Sequence, residues 1–230
     1  MTDLHTLPPP FRHRLSRRDA LALLGKSAVC LVAASVWTGR ARANNSHQTC
    51  VVRPTQTEGP YFVDERLNRS DIRADPTDGT VKPGTPLALT VAVSRISGGA
   101  CQPLDGAQVD IWHCDAMGRY SDVEDRRFNT IGRKFLRGYQ TSDAQGEATF
   151  QTIVPGWYEG RTVHIHVKVR TDPRSRRGYE FTSQMYFDDA FMDRAYTAAP
   201  YASRGPRTAR NQDDRIFRQG GDRLMLDPSP

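Results

Sequence analysis

Apolar and polar residues alternate strictly from Val163 to Arg170. Val163, Ile165, Val167 and Val169 interleave with His164, His166, Lys168 and Arg170, the period of two that marks a half-buried β-strand. Successive side chains of a strand point to opposite faces, so His164 and His166 share one face, two residues apart. Similar alternation of Leu87, Leu89, Val91 and Val93 predicts a strand at 87–93, and 107–113 and 181–187 read as further strands. Residues 139–141 and 147–154 flank the turn signal Ser142-Asp143-Ala144-Gln145-Gly146 and predict a β-hairpin. Residues 189–198 predict one short helix. Strands separated by turn signals, with hardly a strongly amphipathic helix, imply an all-β fold. The expectation is a β-sandwich of antiparallel or mixed sheets with long loops at its functional end.

Charge changes the picture only at the N-terminus. The 230-residue chain carries a formal charge of +6, but residues 1–43 hold seven basic and two acidic residues. The remainder has 25 basic against 24 acidic residues, a net of +1, which leaves no nucleic-acid footprint. Ser16-Arg17-Arg18-Asp19, an apolar run from Ala20 to Trp37 and Ala41-Arg42-Ala43 read as a twin-arginine export signal cleaved after residue 43. Lys26 inside that run and its short apolar length argue against a retained anchor, so no membrane span is expected in the mature form. That signal is similar to those of proteins exported already folded, often with a metal inserted. Residues 44–230 then form one domain, without internal repeat or low-complexity tract. Cleavage would remove Cys30 and leave Cys50, Cys101 and Cys114 in an oxidising compartment. Cys50 and Cys101, both at loop-like positions, are the expected pair. A homo-oligomer is left open.

The chemistry-bearing residues gather around the alternating strand. Tyr158 lies in the turn before it, and Tyr120 follows Gly118 in the loop after the 107–113 strand. A phenolate is a hard oxygen donor suited to a highly charged ion, and imidazole suits several transition metals. Two phenolates and two neutral imidazoles would leave a ferric centre with a net charge near +1. Zinc more usually recruits Cys or carboxylate beside His; Cys114 and His113 keep a zinc or copper alternative open.

Four motifs together resemble the intradiol ring-cleavage dioxygenases: Gly118-Arg119-Tyr120, Pro155-Gly156-x-Tyr158, His164-x-His166 and Gln184-Met185-Tyr186-Phe187. The strand Val109-Asp110-Ile111-Trp112-His113 is similar to the family's signature strand. Gln56-Thr57-x-Gly59-Pro60-Tyr61 is similar to the active-site loop of protocatechuate-type members, which implies a substrate-binding role for Gly59, Pro60 and Tyr61. The resemblance spans roughly residues 50–190.

The resemblance implies a non-haem Fe(III) enzyme that uses O2 to cleave a catechol-type ring between its hydroxylated carbons, giving a muconate-type diacid. It implies Tyr120, Tyr158, His164 and His166 as metal ligands, with Tyr158 the one displaced by substrate and then available as a base. Arg161 looks like the family's active-site arginine, which would stabilise developing negative charge. Gln184 looks like its partner, orienting Arg161 or bonding an oxygen species. One departure concerns the substrate: only five residues separate Tyr158 from His164, a tighter interval than in the well-known catechol and protocatechuate enzymes. The helical N-terminal region of catechol-type members also has no counterpart. Two other readings of the residues compete, a non-catalytic β-sandwich binding module presenting Trp112, Trp157, Tyr61 and Tyr186 to carbohydrate or protein, and a catalytically dead metal-binding relative.

Overall fold

Strand β4 (Gln108–Trp112) and strand β9 (His164–Arg170) sit side by side at the centre of a four-stranded antiparallel sheet. The edges of that sheet are β7 (Arg137–Thr141) and β10 (Glu180–Tyr186). A computed structural model describes residues 52–175 and 177–228 of the protein. The export segment and Cys50 lie outside these described residues. Cys101 is disulfide-bonded, and Cys114 is a buried free thiol.

A second antiparallel ladder pairs β1 (Pro86–Ala92) with β8 (Glu147–Ile153) and packs on the central sheet. Leu89, Ala148 and Phe150 of that ladder join Val109, Ile111, Ile165, Val167 and Val169 in one buried apolar cluster. The β-sandwich expectation holds. Two small ladders, β2 (Ser94–Ser97) with β3 (Ala100–Pro103) and β5 (Glu124–Asp125) with β6 (Phe128–Asn129), lie outside this core. Helix α1 (Asp189–Ala195) is capped by the Asp188 side chain, which accepts from the amides of Ala190 and Phe191, and four short 3-10 turns follow within 201–224.

Two sequence expectations are corrected. The stretches around Ser142–Gly146 do not pair with each other: β7 pairs with β4 and β8 pairs with β1. The Ser142 hydroxyl accepts from the Ala107 amide and donates to the Leu104 carbonyl, which ties the turn to the start of β4 and sends the chain from one sheet to the other. Strand β9 is not half-buried but buried at all seven positions. Register explains the second face: Trp112, His166 and Gln184 lie in one row across the sheet, and His164 and Tyr186 in the next. The segment 54–65 covers this polar and aromatic face.

Charge satisfaction holds that cover down. Lys168 pairs with Glu58 and lies 4.4 Å from the Phe62 ring centre. Arg170 bridges Asp110 at 2.9 Å and Asp64 at 2.9 Å. Hydrogen bonds from Arg170 hold the Asp64 carboxyl below its ordinary range, whereas burial pushes Asp110 up against the pull of the same guanidinium. Replacing Arg170 with Met therefore leaves a buried carboxylate without its cation. Urea unfolding should register a loss of about 3–5 kcal/mol; a loss below about 1 kcal/mol would mean the bridge behaves like an exposed pair.

Candidate metal centre

Two loops and one strand deliver the site, and glycine lets the loops meet. After β4 the chain turns tightly because Asp115 accepts from the amides of Met117 and Arg119 at 2.9 and 3.0 Å. This turn buries Tyr120 to 1 % exposure. The Pro155-Gly156 turn that leads to Tyr158 docks directly on it: a Cβ on Gly156 would stand 2.5 Å from the carbonyl oxygens of Asp115 and Ala116. The two tyrosine rings consequently meet edge to face, with centroids 5.7 Å apart.

Strand β9 supplies the nitrogens. His164 Nε2 lies 3.1 Å from His166 Nε2 and 3.2 Å from the Tyr158 hydroxyl. His164 Nδ1 sits 2.7 Å from the Thr162 carbonyl oxygen; a carbonyl only accepts, so the proton resides on Nδ1 and Nε2 presents a lone pair. Trp112 stacks on the His166 ring at 4.7 Å, with planes 6° apart, and fixes its orientation. Tyr120 lies 6.0 Å from the same ring. The four residues expected to act as ligands are all brought together.

The residues fit a metal ion on three counts. The Tyr120 hydroxyl is buried with no hydrogen-bond partner; an orphaned buried polar group costs about 1–3 kcal/mol. Two imidazole Nε2 atoms and a phenol oxygen face one another, an arrangement that one shared proton satisfies only in part and a cation satisfies fully. Among the described residues no group of three or more His, Cys, Asp or Glu converges, so a metal held here must use the phenolic oxygens. Burial holds both imidazoles neutral, far below the ordinary histidine range, and raises both phenols. Neutral imidazole is the ligating form; the phenolates require the charge of a cation to exist here. The zinc or copper alternative loses its donors. His113 is committed to the Cys114 carbonyl and the Thr152 hydroxyl at 2.9 and 2.7 Å, and the Cys114 thiol to the Gly156 carbonyl at 3.3 Å.

Around these donors lies a hydrogen-bonded shell. Arg161 is gripped through all three nitrogens: Nη1 donates to the Tyr158 hydroxyl at 3.4 Å, Nη2 to Gln184 Oε1, and Nε to Asp214 Oδ2 at 2.8 Å. Gln184 is locked in turn, since its amide donates to the Thr57 carbonyl at 2.9 Å and its oxygen also accepts from Tyr186 at 3.0 Å. Of its two expected roles, orienting Arg161 is the one this geometry supports. Tyr61 stacks on Tyr120 at 4.5 Å and donates to Asp125 at 2.9 Å. Gly59, at φ +73°, lies against His166, where a Cβ would come within 3.3 Å of the ring. Pro60 is exposed in the turn between Gly59 and Tyr61.

Asp214 is the residue that sequence reading missed. It is 1 % exposed and accepts from both Arg161 Nε and the Thr162 amide. Neighbouring Asn211 accepts from the Thr162 hydroxyl at 2.6 Å. Thr162 is the residue that sets the His164 tautomer, so the C-terminal segment fixes both a donor and the arginine. Its only sequence signal was an aspartate among charged residues, Asp213-Asp214-Arg215.

A buried set of two tyrosines and two histidines on a β-sandwich has donor types that suit a hard, highly charged metal ion. A family model described as Dioxygenase matches residues 57–205, and the chain belongs to the intradiol ring-cleavage dioxygenase family. It is 32% identical over 150 residues to a chlorocatechol 1,2-dioxygenase of Pseudomonas sp. (strain P51), covering 57% of this chain and 54% of that one. It is 31% identical to the protocatechuate 3,4-dioxygenase beta chain of Burkholderia cepacia, covering 56% of each. The chain thus spans about half the length of these curated relatives. Among solved structures, an intradiol ring-cleavage dioxygenase from Tetranychus urticae superposes with a TM-score of 0.68 at 30% identity, covering 79% of this chain and 87% of that one. Asp214 and Asn211 lie beyond the matched family region.

The orphaned phenol gives a sign-reversal test. In metal-free protein Tyr120→Phe should leave thermal stability unchanged or raise it by about 1 kcal/mol, because an unsatisfied hydroxyl disappears. In metal-loaded protein the same change should weaken metal retention by at least about tenfold. Destabilisation of the metal-free protein would mean that the hydroxyl has a partner there.

Proposed function

We propose that this chain is a non-haem Fe(III) dioxygenase that cleaves a catechol-type ring between its two hydroxylated carbons with O2, giving a muconate-type diacid. The observation that carries the reading is the convergence of Tyr120, Tyr158, His164 and His166 on one buried point with Arg161 held alongside. Iron is supported by the donor set and by the family, whose members are generally non-haem iron enzymes. When bound, ferric iron supplies the Lewis acidity and electron-accepting capacity that let a catecholate react with O2.

The chain's own residues account for the rest. Tyr158 is the less buried of the two tyrosines and faces the open cavity. Its oxygen lies within reach of the Arg161 guanidinium and, as the phenolate that a bound cation would stabilise, is placed to accept a proton from a substrate hydroxyl. Arg161 presents a fixed positive fork toward that position, where negative charge builds as the ring is attacked. Tyr61 and Trp112 wall the site with aromatic surface, and the 54–65 cover limits water. Asp214 and Gln184 keep Arg161 from relaxing toward solvent. A pure binding module has no use for a buried arginine held against Tyr158 beside two histidine nitrogens and an orphaned phenol. We further infer export, supported by the twin arginine, apolar run and Ala-x-Ala site of residues 1–43.

Iron-loaded protein supplied with catechol should consume one O2 per ring and release a ring-opened diacid carrying both oxygen atoms in isotope labelling. Retained iron with no oxygen uptake across a panel of catechols would leave the catalytically dead relative as the correct reading. Within an active enzyme, Asp214→Asn should keep the iron, lower kcat by about tenfold to a hundredfold and change KM little, as expected when a positioning contact to a charge-stabilising group is weakened. Equal turnover in that variant would remove Asp214 from the catalytic shell.

A further inference from the structure

We propose that the enzyme takes catechols extended by a side chain that ends in a carboxylate, bound by Arg119 and Arg204 at the mouth of the site. This rests on the ring-cleavage reading and deepens it.

The cavity in front of Tyr158 and Tyr61 has a volume of about 420 Å³. A cavity of roughly 150 Å³ suffices for benzene, so the space holds a single ring with more than half its volume left over. Trp157, Tyr158 and Glu159 line this room together with Arg119 and Arg204.

Charge bookkeeping identifies what the spare volume accepts. Arg127 and Glu159, both in the lining, neutralise each other at 2.9 Å. Asp115, the nearest buried carboxylate on the Tyr120 loop, is taken by Lys82 at 2.9 Å. Arg119 and Arg204 then have no ion-pair partner among the described residues. Arg204 is half-buried and preorganised: its Nη1 donates to the Trp157 carbonyl, and its guanidinium lies 4.2 Å from the Trp157 ring centre. A half-buried, immobilised guanidinium without a counter-ion is a receptor for an anion. Its planar fork matches a carboxylate. The Trp157 and Phe128 side chains supply apolar surface for the linking chain.

The test compares 3,4-dihydroxycinnamate with its methyl ester, which differ in one charge, and catechol itself. Anaerobic titration of the iron-loaded protein, read by tryptophan fluorescence, should give about tenfold tighter binding of the acid than of the ester, the effect of one charge-assisted hydrogen-bonded contact. The double variant Arg119→Gln/Arg204→Gln should bring the two affinities together. Arg119→Gln alone, at an exposed side chain, should cut the preference by about threefold even if Arg204 variants fold poorly. Arg95→Gln, on the β2–β3 hairpin outside the lining, should keep it, and raised salt should shrink it. Equal affinity for acid and ester in the wild type, or a preference that survives the double variant, would overturn the proposal. Oxygen uptake with catechol separates the two readings. Turnover without acid preference defeats only the carboxylate site, whereas acid preference without turnover defeats only the ring-cleavage reading.

Discussion

Burying both faces of strand β9 is the constraint on which the rest of this molecule depends. One face is ordinary β-sandwich core, built from Val163, Ile165, Val167 and Val169. The other carries His164, His166, Lys168 and Arg170 and is buried as well, so each of its polar groups must find a partner or be held unsatisfied. Lys168 and Arg170 recruit Glu58, Asp64 and Asp110, and in doing so pin the 54–65 segment across the sheet. The histidines next along the strand meet Tyr120 and Tyr158 instead of carboxylates. There the satisfaction stops short, leaving the Tyr120 hydroxyl without a partner. The same strand thus builds its own lid at one end and an ion-hungry cage at the other.

The cage and its arginine are held by contacts distant in sequence. Asp214 reaches back to Arg161 and Thr162, and Thr162 sets the tautomer of His164. A displacement of that C-terminal segment would therefore loosen His164 and Arg161 together. Positioning through a carboxylate at 2.8 Å gives Arg161 a fixed direction, which is the condition for electrostatic stabilisation that needs no reorganisation during reaction.

Much of this was legible in the sequence. Period-two alternation located β1 and β9, because inward-facing positions must be apolar whatever the neighbouring strand, and β4 and β10 also read as strands. The four donors, Arg161 and Gln184 stood out through residue type and spacing. Partner choice was less legible. The Ser142–Gly146 turn has hairpin chemistry, yet its flanking strands join different sheets, and local turn propensity carries no information about which distant strand is waiting. The burial of Lys168 and Arg170 was hidden for a similar reason: a charged residue looks solvent-facing until its counter-ions arrive from residues 58, 64 and 110. Asp214 had no periodicity and no motif around it, so only the folded chain reveals its contact with Arg161.

The central claim is that Tyr120 and Tyr158 act as phenolate donors to one ferric ion. The visible absorption spectrum of the purified, iron-loaded protein tests it most directly. Phenolate-to-Fe(III) charge transfer should colour the protein red, and the band should shift on anaerobic addition of catechol and weaken in both Tyr120→Phe and Tyr158→Phe. A protein that holds ferric iron at one-to-one stoichiometry yet stays colourless, or whose band is indifferent to both substitutions, would contradict the account.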